Sequence, residues 1–375
     1  MSLVKANVVA DPEPELRTRS GYKPADCFKA FLAALAESGV VNTGKALHFS
    51  TDLVCSGGYD AWIKAIWDFA IDHIGISSPR IFVYLKKRIA EIDSLVSRLD
   101  EDALWKDDEF QTRVCELIFV LKECPLRMRT PWPKVGPETH RDGWLRAVST
   151  NATETAVVKR VFKSSNDIFS LHIVACELLK ACSENATEKA LFWIRWLLDE
   201  DSRLRKENNG AGLSTLDRGP PHLHAKQRTD VGYFILQLFV EAYKEYAGKN
   251  LLRMNEEFQV LSDLYRQSDK RIGAKGRRDI LALMAQILCE VPRWKVPAAP
   301  TLIKDPAALS RAIQQSPNFF KEVLAYPRVV LPSNKAIFTT GKQSQKQKEK
   351  AKQGITMETK FNAFDAAMEA YLNKQ

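Results

Sequence analysis

The chain has 375 residues, of which 45% are hydrophobic and 27% charged, and its formal net charge is +9. These proportions are those of a folded soluble protein, about 45–50% apolar and about 25% charged, and they argue against an intrinsically disordered chain. The positive charge suits an acidic partner, either nucleic acid or an acidic protein surface, and does not choose between them.

The N-terminal sequence and the apolar runs argue against secretion and against a membrane span. The first twenty residues lack the apolar core of a secretory signal. The longest apolar runs are IFVYL at 81–85 and YFILQLFV at 233–240, whereas a bilayer span needs about 20 mostly apolar residues. We therefore expect a protein of the cytoplasm or the nucleus.

The cysteines indicate a reducing environment. There are seven, an odd number, and no pair has the CxxC spacing. We interpret them as reduced thiols in a helical core. They are Cys27, Cys55, Cys115, Cys124, Cys176, Cys182 and Cys289.

Residues 1–22 are predicted to form an N-terminal arm, and residues 23–123 an N-terminal helical lobe. Pro24 is placed to open the first helix and Gly39 to close it, since proline favours the first turn and glycine the position after the end. The next clear helix is predicted at 59–74, where apolar residues recur every three or four positions.

Between these two helices, GVVNTGKA at 39–46 is close to the phosphate-binding P-loop motif. Gly39, Gly44 and Lys45 have the spacing of that motif. Ala46, however, replaces the serine or threonine that would hold Mg²⁺, and no strand precedes the segment. We therefore interpret it as the end of a helix followed by a turn.

A loop with four prolines at 124–140 is predicted to connect the N-terminal lobe to a main helical lobe at 141–290. Proline lacks the amide hydrogen and disfavours the helical conformation in the residue before it, so this loop cannot be an α-helix. Helices are predicted in the main lobe at 152–163, 167–182, 186–206, 226–247, 250–267 and 275–290. Because no alternating run long enough for a sheet occurs, the predicted fold is all-α.

Aromatic residues at two places could serve either packing or binding. Trp193, Trp196 and Leu197 fall at helical spacing, which is more typical of a core than of a base-stacking surface. Trp294 lies in a proline-rich extended strap at 291–340, with short helices predicted at 306–314 and 317–325. An extended strap needs a surface to lie on, so Trp294 is a predicted partner-docking residue.

The segment SDKRIGAKGRRD at 268–279 is the most basic loop of the predicted body. Clustered cations attract phosphate, and its two glycines allow a tight turn. The other interpretation is a plain connection between helices. The predicted contacts to nucleic acid or to an acidic surface are Lys270, Arg271, Lys275, Arg277 and Arg278.

The C-terminal sequence combines a basic linker at 341–354 with an amphipathic segment at 355–375. The linker holds five lysines against one glutamate, a net charge of +4, and has no large apolar side chain to bury. Its lysines are further candidate contacts for an acidic surface: Lys342, Lys346, Lys348, Lys350 and Lys352.

The segment that follows the linker carries a two-heptad apolar stripe with spacings of four, three, four and three. A helix of about 20 residues is marginal alone in water, so it is predicted to dock either on its own body or on another protein. The predicted docking residues are Met357, Phe361, Phe364, Met368 and Tyr371.

Signatures of catalysis and of metal binding are weak. His222 and His224 are the only close histidine pair, and no cysteine lies near them in sequence. We interpret them as surface residues of a loop. The sequence therefore predicts no metal site, no cofactor and no catalytic residues, although an active site assembled in space would escape such a search.

Four stretches together resemble helical virion proteins, of the minor capsid type, from large icosahedral double-stranded DNA viruses of algae and protists. They are SGGYDAWIKAIWDFAIDHI, SSPRIFVYLKKR, GLSTLDRGP and VPRWKVPAAPTLIKDPAALSRA, which fall within residues 45–325. The resemblance implies a structural role in a virion and assigns no functional residue. The leading hypothesis is thus a non-enzymatic assembly protein that contacts other proteins. The alternative is a nucleic-acid-binding accessory protein that uses the 270–278 loop and the lysine tail.

Overall fold

The computed structural model describes residues 17–127, 130–141, 143–150, 152–248, 255–266, 271–290 and 302–327. It is 72% helical, with no strand among these residues. One isolated bridge pairs Asp167 with Ser214. The predicted all-α fold is confirmed.

Sixteen α-helices occur in the described part of the chain, several of them only one turn long. They are α1 (Pro24–Ala36), α2 (Val40–Cys55), α3 (Tyr59–Phe69), α4 (Arg80–Arg98), α5 (Glu101–Leu104), α6 (Asp108–Glu123), α7 (Trp144–Val148), α8 (Ala156–Val161), α9 (Phe169–Ser183), α10 (Thr187–Glu207), α11 (Ala225–Arg228), α12 (Val231–Gly248), α13 (Asn255–Arg266), α14 (Ala274–Cys289), α15 (Pro306–Gln314) and α16 (Ser316–Leu324).

Helix α2 corrects the prediction of a turn after Gly39. Gly39 is the N-cap of α2, with a φ of 102° that favours glycine, and Gly44 lies inside the helix. Residues of this helix are buried at helical spacing, among them Leu47, Leu53 and Val54. Helix α2 packs against α1, α6 and α16, and this burial offsets the low helix propensity of its serine, threonine and glycine residues.

The helix predicted at 59–74 changes type near its end. Helix α3 passes into a π-helix at Ala70–Ile74 and then into a short 3₁₀ turn at Gly75–Ser77. The His73 carbonyl accepts a hydrogen bond of 2.6 Å from the amide of Arg127, in the connector. The π-helix packs against α14 and places Asp72 beside the start of that helix.

A continuous hydrophobic core runs from Cys27 in α1 to Val323 in α16. Helix α4, from the predicted N-terminal lobe, packs on α13, from the predicted main lobe, and Lys86 bonds to Asp263 between them at 2.6 Å. The connector contains a 3₁₀ turn at Pro137–His140, and its Trp132 packs against the core. The division of the chain into two lobes stays a prediction.

The predicted core residues are buried. All seven cysteines are buried, unbridged thiols, as predicted. Trp193, Trp196 and Leu197 are buried on α10, which confirms that they belong to the core. None of the helices described has the length and apolar character that a bilayer crossing requires.

Helices α15 and α16 pack on α6, and α16 also packs on α2. The remaining predictions for one residue of the basic loop, for the strap and for the tail concern residues that the structure does not describe. Those residues are Lys270, Trp294, Lys342, Lys346, Lys348, Lys350, Lys352, Met357, Phe361, Phe364, Met368 and Tyr371.

Candidate anion-binding cleft

A cleft with a volume of about 680 Å³ opens between five helices. The second half of α10, helix α11 and the start of α12 form one side. The end of α13 and the first turns of α14 form the other. We refer to it as the basic cleft because of the charges that line it.

Five cationic side chains and two carboxylates line the basic cleft, an excess of three positive charges. The carboxylates are those of Asp199 and Asp230. The cations are Arg205, Lys226, Lys275, Arg277 and Arg278. A second cavity of about 440 Å³, next to α8 and α9, is lined by one cation and one carboxylate and has no such excess.

Arg205 serves to hold the loop that leads into the cleft. Its Nε donates to Asp201 Oδ2 at 2.6 Å, and one terminal nitrogen donates to the carbonyl of Thr229 at 2.6 Å. The other terminal nitrogen bonds to the carbonyls of Gly210 and Lys226. Arg205 thus fixes both ends of the segment between α10 and α12, and with it the backbone of Lys226.

A buried ion pair holds the middle of the same segment. Arg218 donates two hydrogen bonds to the carboxylate of Asp167, at 2.9 and 2.6 Å, and these side chains are 5% and 0% exposed. The Ser214 hydroxyl donates to Asp167 at 2.6 Å, and the Lys163 amide donates at 2.7 Å. The guanidinium also lies over the ring of Phe234 at 5.1 Å. Because every charge is bonded, this pair avoids the cost of an unpaired buried ion.

Helix α14 brings the predicted basic residues to the opposite side. The Lys275 ammonium lies 2.7 Å from Asp72 and 3.4 Å from Asp279. Arg278 lies over the ring of Trp132 at 5.3 Å, and the Trp132 indole donates to Asp279 at 2.8 Å. These contacts fasten α14 to the π-helix and to the connector.

Two cations of the cleft have no ion-pair partner among the described residues. Neither the Lys226 ammonium nor the Arg277 guanidinium lies within 4.0 Å of a described carboxylate. Lys226 is exposed and Arg277 is half-buried. An anion that enters the cleft would therefore meet two positive groups that make no ion pair with a described carboxylate, although the charge of Asp230 acts on Arg277 from a greater distance.

Tyr265 lines the cleft and is only 5% exposed. Its hydroxyl approaches Gly232 so closely that a Cβ atom on that residue would lie 1.8 Å from it. The hydroxyl makes no hydrogen bond to another described residue. Desolvation, and next the charge of Asp230, raise the pKa of Tyr265 well above its usual value. The group therefore stays an O–H, which is a hydrogen-bond donor.

Asp230 is the carboxylate that opposes these donors. It accepts a hydrogen bond of 2.8 Å from the amide of Gly232. Although the residue is exposed at the rim, the cleft wall crowds its carboxyl, and this desolvation is the main cause of a raised pKa. The Gly232 amide and the charges of Arg205 and Arg277 lower the pKa again in part.

The structure thus places the residues of the predicted basic loop at two different sites. Lys275, Arg277 and Arg278 line the cleft, whereas Arg271 bonds to both oxygens of Asp93 at 2.8 and 3.0 Å and holds α4. Sequence reasoning missed Lys226 and Tyr265, which come from other helices. The only sequence signal for Lys226 was the basic run beside His222 and His224.

The two loop histidines are exposed, as predicted. No group of three or more possible metal-ligating side chains occurs in the described ranges. Comparison of the chain with protein-family models, with curated proteins and with solved structures found no match. Its function is therefore inferred from its own residues.

Proposed function

We propose that this chain is a non-enzymatic assembly protein that contacts other proteins, in the form of a minor capsid component of a virion. The observation that carries the proposal is the apolar stripe from Met357 to Tyr371, which follows a basic, lysine- and glutamine-rich sequence at 341–354. The resemblance to virion proteins supports the capsid form.

The stripe supports docking because its apolar residues would cover one face of a helix. Such a helix buries little by itself and gains its stability from the groove that receives it. A linker of fourteen residues keeps that helix near the body and raises its effective concentration at a partner's surface. Together they have the properties of an assembly tether.

The body offers support of a second kind. Val40 and Val41, in the first turn of α2, are 90% and 72% exposed. Two adjacent valines with so little cover stand out among the described residues, most of whose other large apolar side chains are buried. Contact sites between proteins are larger contiguous apolar patches, of which these two valines are a candidate part.

The test is a triple substitution on the stripe, Phe361→Ala, Phe364→Ala and Met368→Ala. Since truncation of central aromatic anchors removes most of the binding energy of such a helix, we expect co-purification with the particle to fall by more than about tenfold. Quantitative mass spectrometry of purified particles or complexes measures this. Circular dichroism of the isolated chain should show that the body is unchanged.

The matched control carries Thr359→Ala, Asn362→Ala and Asn373→Ala, which the heptad register places away from the stripe. It truncates three side chains, leaves the net charge as it was, and should co-purify like the unaltered chain. Equal incorporation of the stripe variant and the control would contradict the proposal.

The alternative is a nucleic-acid-binding accessory protein. The observation that favours it is the placement of Lys275, Arg277 and Arg278 together at one cleft. Binding to a phosphate backbone should weaken steeply with salt, so a gel shift across a salt series tests it. Absence of a complex at low salt would remove this alternative.

A further inference from the structure

We propose that the basic cleft binds a small organic phosphate monoester, whose phosphate group is held by Lys226, Arg277 and the hydroxyl of Tyr265. This binding is separate from the assembly role of the tail. It rests on the cleft between α10, α11 and α14, where the cationic side chains outnumber the carboxylates by three.

The charge of the cleft indicates the charge of its ligand. The cleft has three positive charges in excess, and the ammonium of Lys226 and the guanidinium of Arg277 have no carboxylate partner there. A phosphate monoester carries about 1.5 to 2 negative charges at pH 7, whereas a backbone phosphodiester carries one. Two unpaired cations on facing walls match the monoester better.

The cleft also offers hydrogen-bond donors to a phosphate group. The hydroxyl of Tyr265 lines the cleft and makes no hydrogen bond to another described residue, so it can donate to a ligand oxygen, and the field of Arg277 reaches it. The Nε of Arg278 is a buried nitrogen with no hydrogen-bond partner among the described residues, and an acceptor there would remove the cost of leaving it unbonded. A phosphate oxygen accepts from donors of both kinds.

The size of the cleft suits a small organic molecule. A volume of about 680 Å³ exceeds the needs of a bare ion and lies within the roughly 300–1,000 Å³ of small-molecule sites. Leu198, Leu223 and Leu281 contribute apolar wall, so the cleft has room and surface for an organic body beside the anionic group. Because the cations lie in a recess, a compact ligand reaches them more easily than a duplex does.

The cleft is formed before a ligand binds. Arg205 and the Asp167–Arg218 pair fix the loop that carries Lys226. Gly232 allows the Tyr265 hydroxyl to lie against the backbone of α12. Groups held in this way lose little entropy when a ligand binds.

The opposing charges are also few. Asp199 is paired with Arg195 at 2.6 Å, and Asp279 is bonded to Trp132. Asp72 faces Lys275 from the π-helix. Asp230 is thus the main carboxylate that a bound phosphate would meet.

The experiment is calorimetric titration of the full chain with adenosine monophosphate and, separately, with inorganic phosphate. We expect binding of both, with adenosine monophosphate at least about tenfold tighter because its body contacts the apolar wall. The double variant Lys226→Gln, Arg277→Gln should weaken the binding of adenosine monophosphate by more than about tenfold, because it removes two charged hydrogen-bond donors. Tyr265→Phe, which removes one oxygen only, should weaken it by about threefold to tenfold.

The matched control is Lys29→Gln, Arg311→Gln, which removes one lysine and one arginine from exposed positions on α1 and α15. It should bind like the unaltered chain. The proposal is overturned if neither phosphate binds at millimolar concentration, or if the double variant and the control bind alike. Equal affinity for adenosine monophosphate and inorganic phosphate would overturn the claim that the cleft binds the organic part of the ligand. Binding of a single-stranded oligonucleotide in the absence of small-phosphate binding would overturn the monoester in favour of nucleic acid.

Discussion

At the scale of single residues, charge is used in two ways in this protein. Asp167 and Arg218 are buried and fully bonded, and they hold a loop. The side chains of Lys226 and Arg277 line the cleft and have no ion-pair partner within 4.0 Å among the described residues. The bonded pair holds the loop that carries Lys226, whereas the side chains of Lys226 and Arg277 are available to a ligand.

Arg218→Ala should be among the most destabilising substitutions in the described chain. It leaves the Asp167 carboxylate buried without its counter-charge, which typically costs about 3–5 kcal/mol. The free energy of unfolding in urea measures the loss. Arg160→Ala is the control, since Arg160 is half-exposed and contacts Glu241 at 3.4 Å, and an exposed pair is worth about 0–1 kcal/mol. Equal losses for the two variants would show that the Asp167 pair contributes no more than a surface contact.

Glu200 gives a residue-scale prediction about pH. Its carboxylate, 10% exposed on α10, accepts from Arg203 at 2.9 and 2.7 Å and lies 2.7 Å from His140 Nδ1 in the connector. Burial alone would raise the pKa of Glu200, but Arg203 and then His140 outweigh it, so the pKa lies below the usual 4.5. A lowered carboxyl pKa stabilises the fold above the unfolded value, and this contribution is lost as the pH falls through the folded value.

The unaltered chain should therefore lose more stability below pH 4.5 than the variant Glu200→Gln. Melting temperatures of both chains between pH 7 and pH 3 check this. Parallel curves across the whole range would show that Glu200 makes no pH-dependent contribution.

At the scale of elements, periodicity predicted the long helices and tertiary packing decided the rest. The predicted helix at 186–206 agrees with α10 to within one residue at each end, because its apolar residues follow the helical period. Helix α2 was missed because Gly44 and several β-branched or hydroxyl side chains lower its propensity. Its stability comes from α1, α6 and α16, which no local pattern reveals.

The same limit applies to the candidate site. The basic run at 270–278 was visible in the sequence, but its division was not, since Asp93 on α4 pairs with Arg271 from 178 positions away. Lys226 and Tyr265 join Arg277 only through the packing of α11, α13 and α14 around the cleft. Local sequence patterns identify charge, whereas the tertiary fold decides which charges are left unpaired.

At the scale of the whole molecule, the continuous core bears on how the chain unfolds. Apolar contacts run from α1 to α16, and α4 and the π-helix pack on α13 and α14 across the predicted lobe boundary. A core shared in this way favours a single cooperative transition over separate unfolding of residues 23–123 and 141–290.

The buried cysteines report on this transition. Desolvation raises the pKa of Cys115 to about 12 and, as the main cause, that of Cys124 and of Cys176 to about 11. Thiol reagents attack the thiolate, so the native chain should react very slowly. We expect Cys55 and Cys115 of the first predicted lobe, and Cys176 and Cys182 of the second, to become reactive at the same urea concentration.

Mass spectrometry after brief alkylation across a urea series measures each cysteine separately. Coincident midpoints would follow from the shared core, because opening either side exposes the other. The variant Lys86→Ala removes a contact of 2.6 Å between α4 and α13 and should lower all midpoints together. If the first group of cysteines reacted at a clearly lower urea concentration than the second, the two lobes would be separate folding units joined at 124–140. The two lobes would then be in contact through the core but would unfold independently.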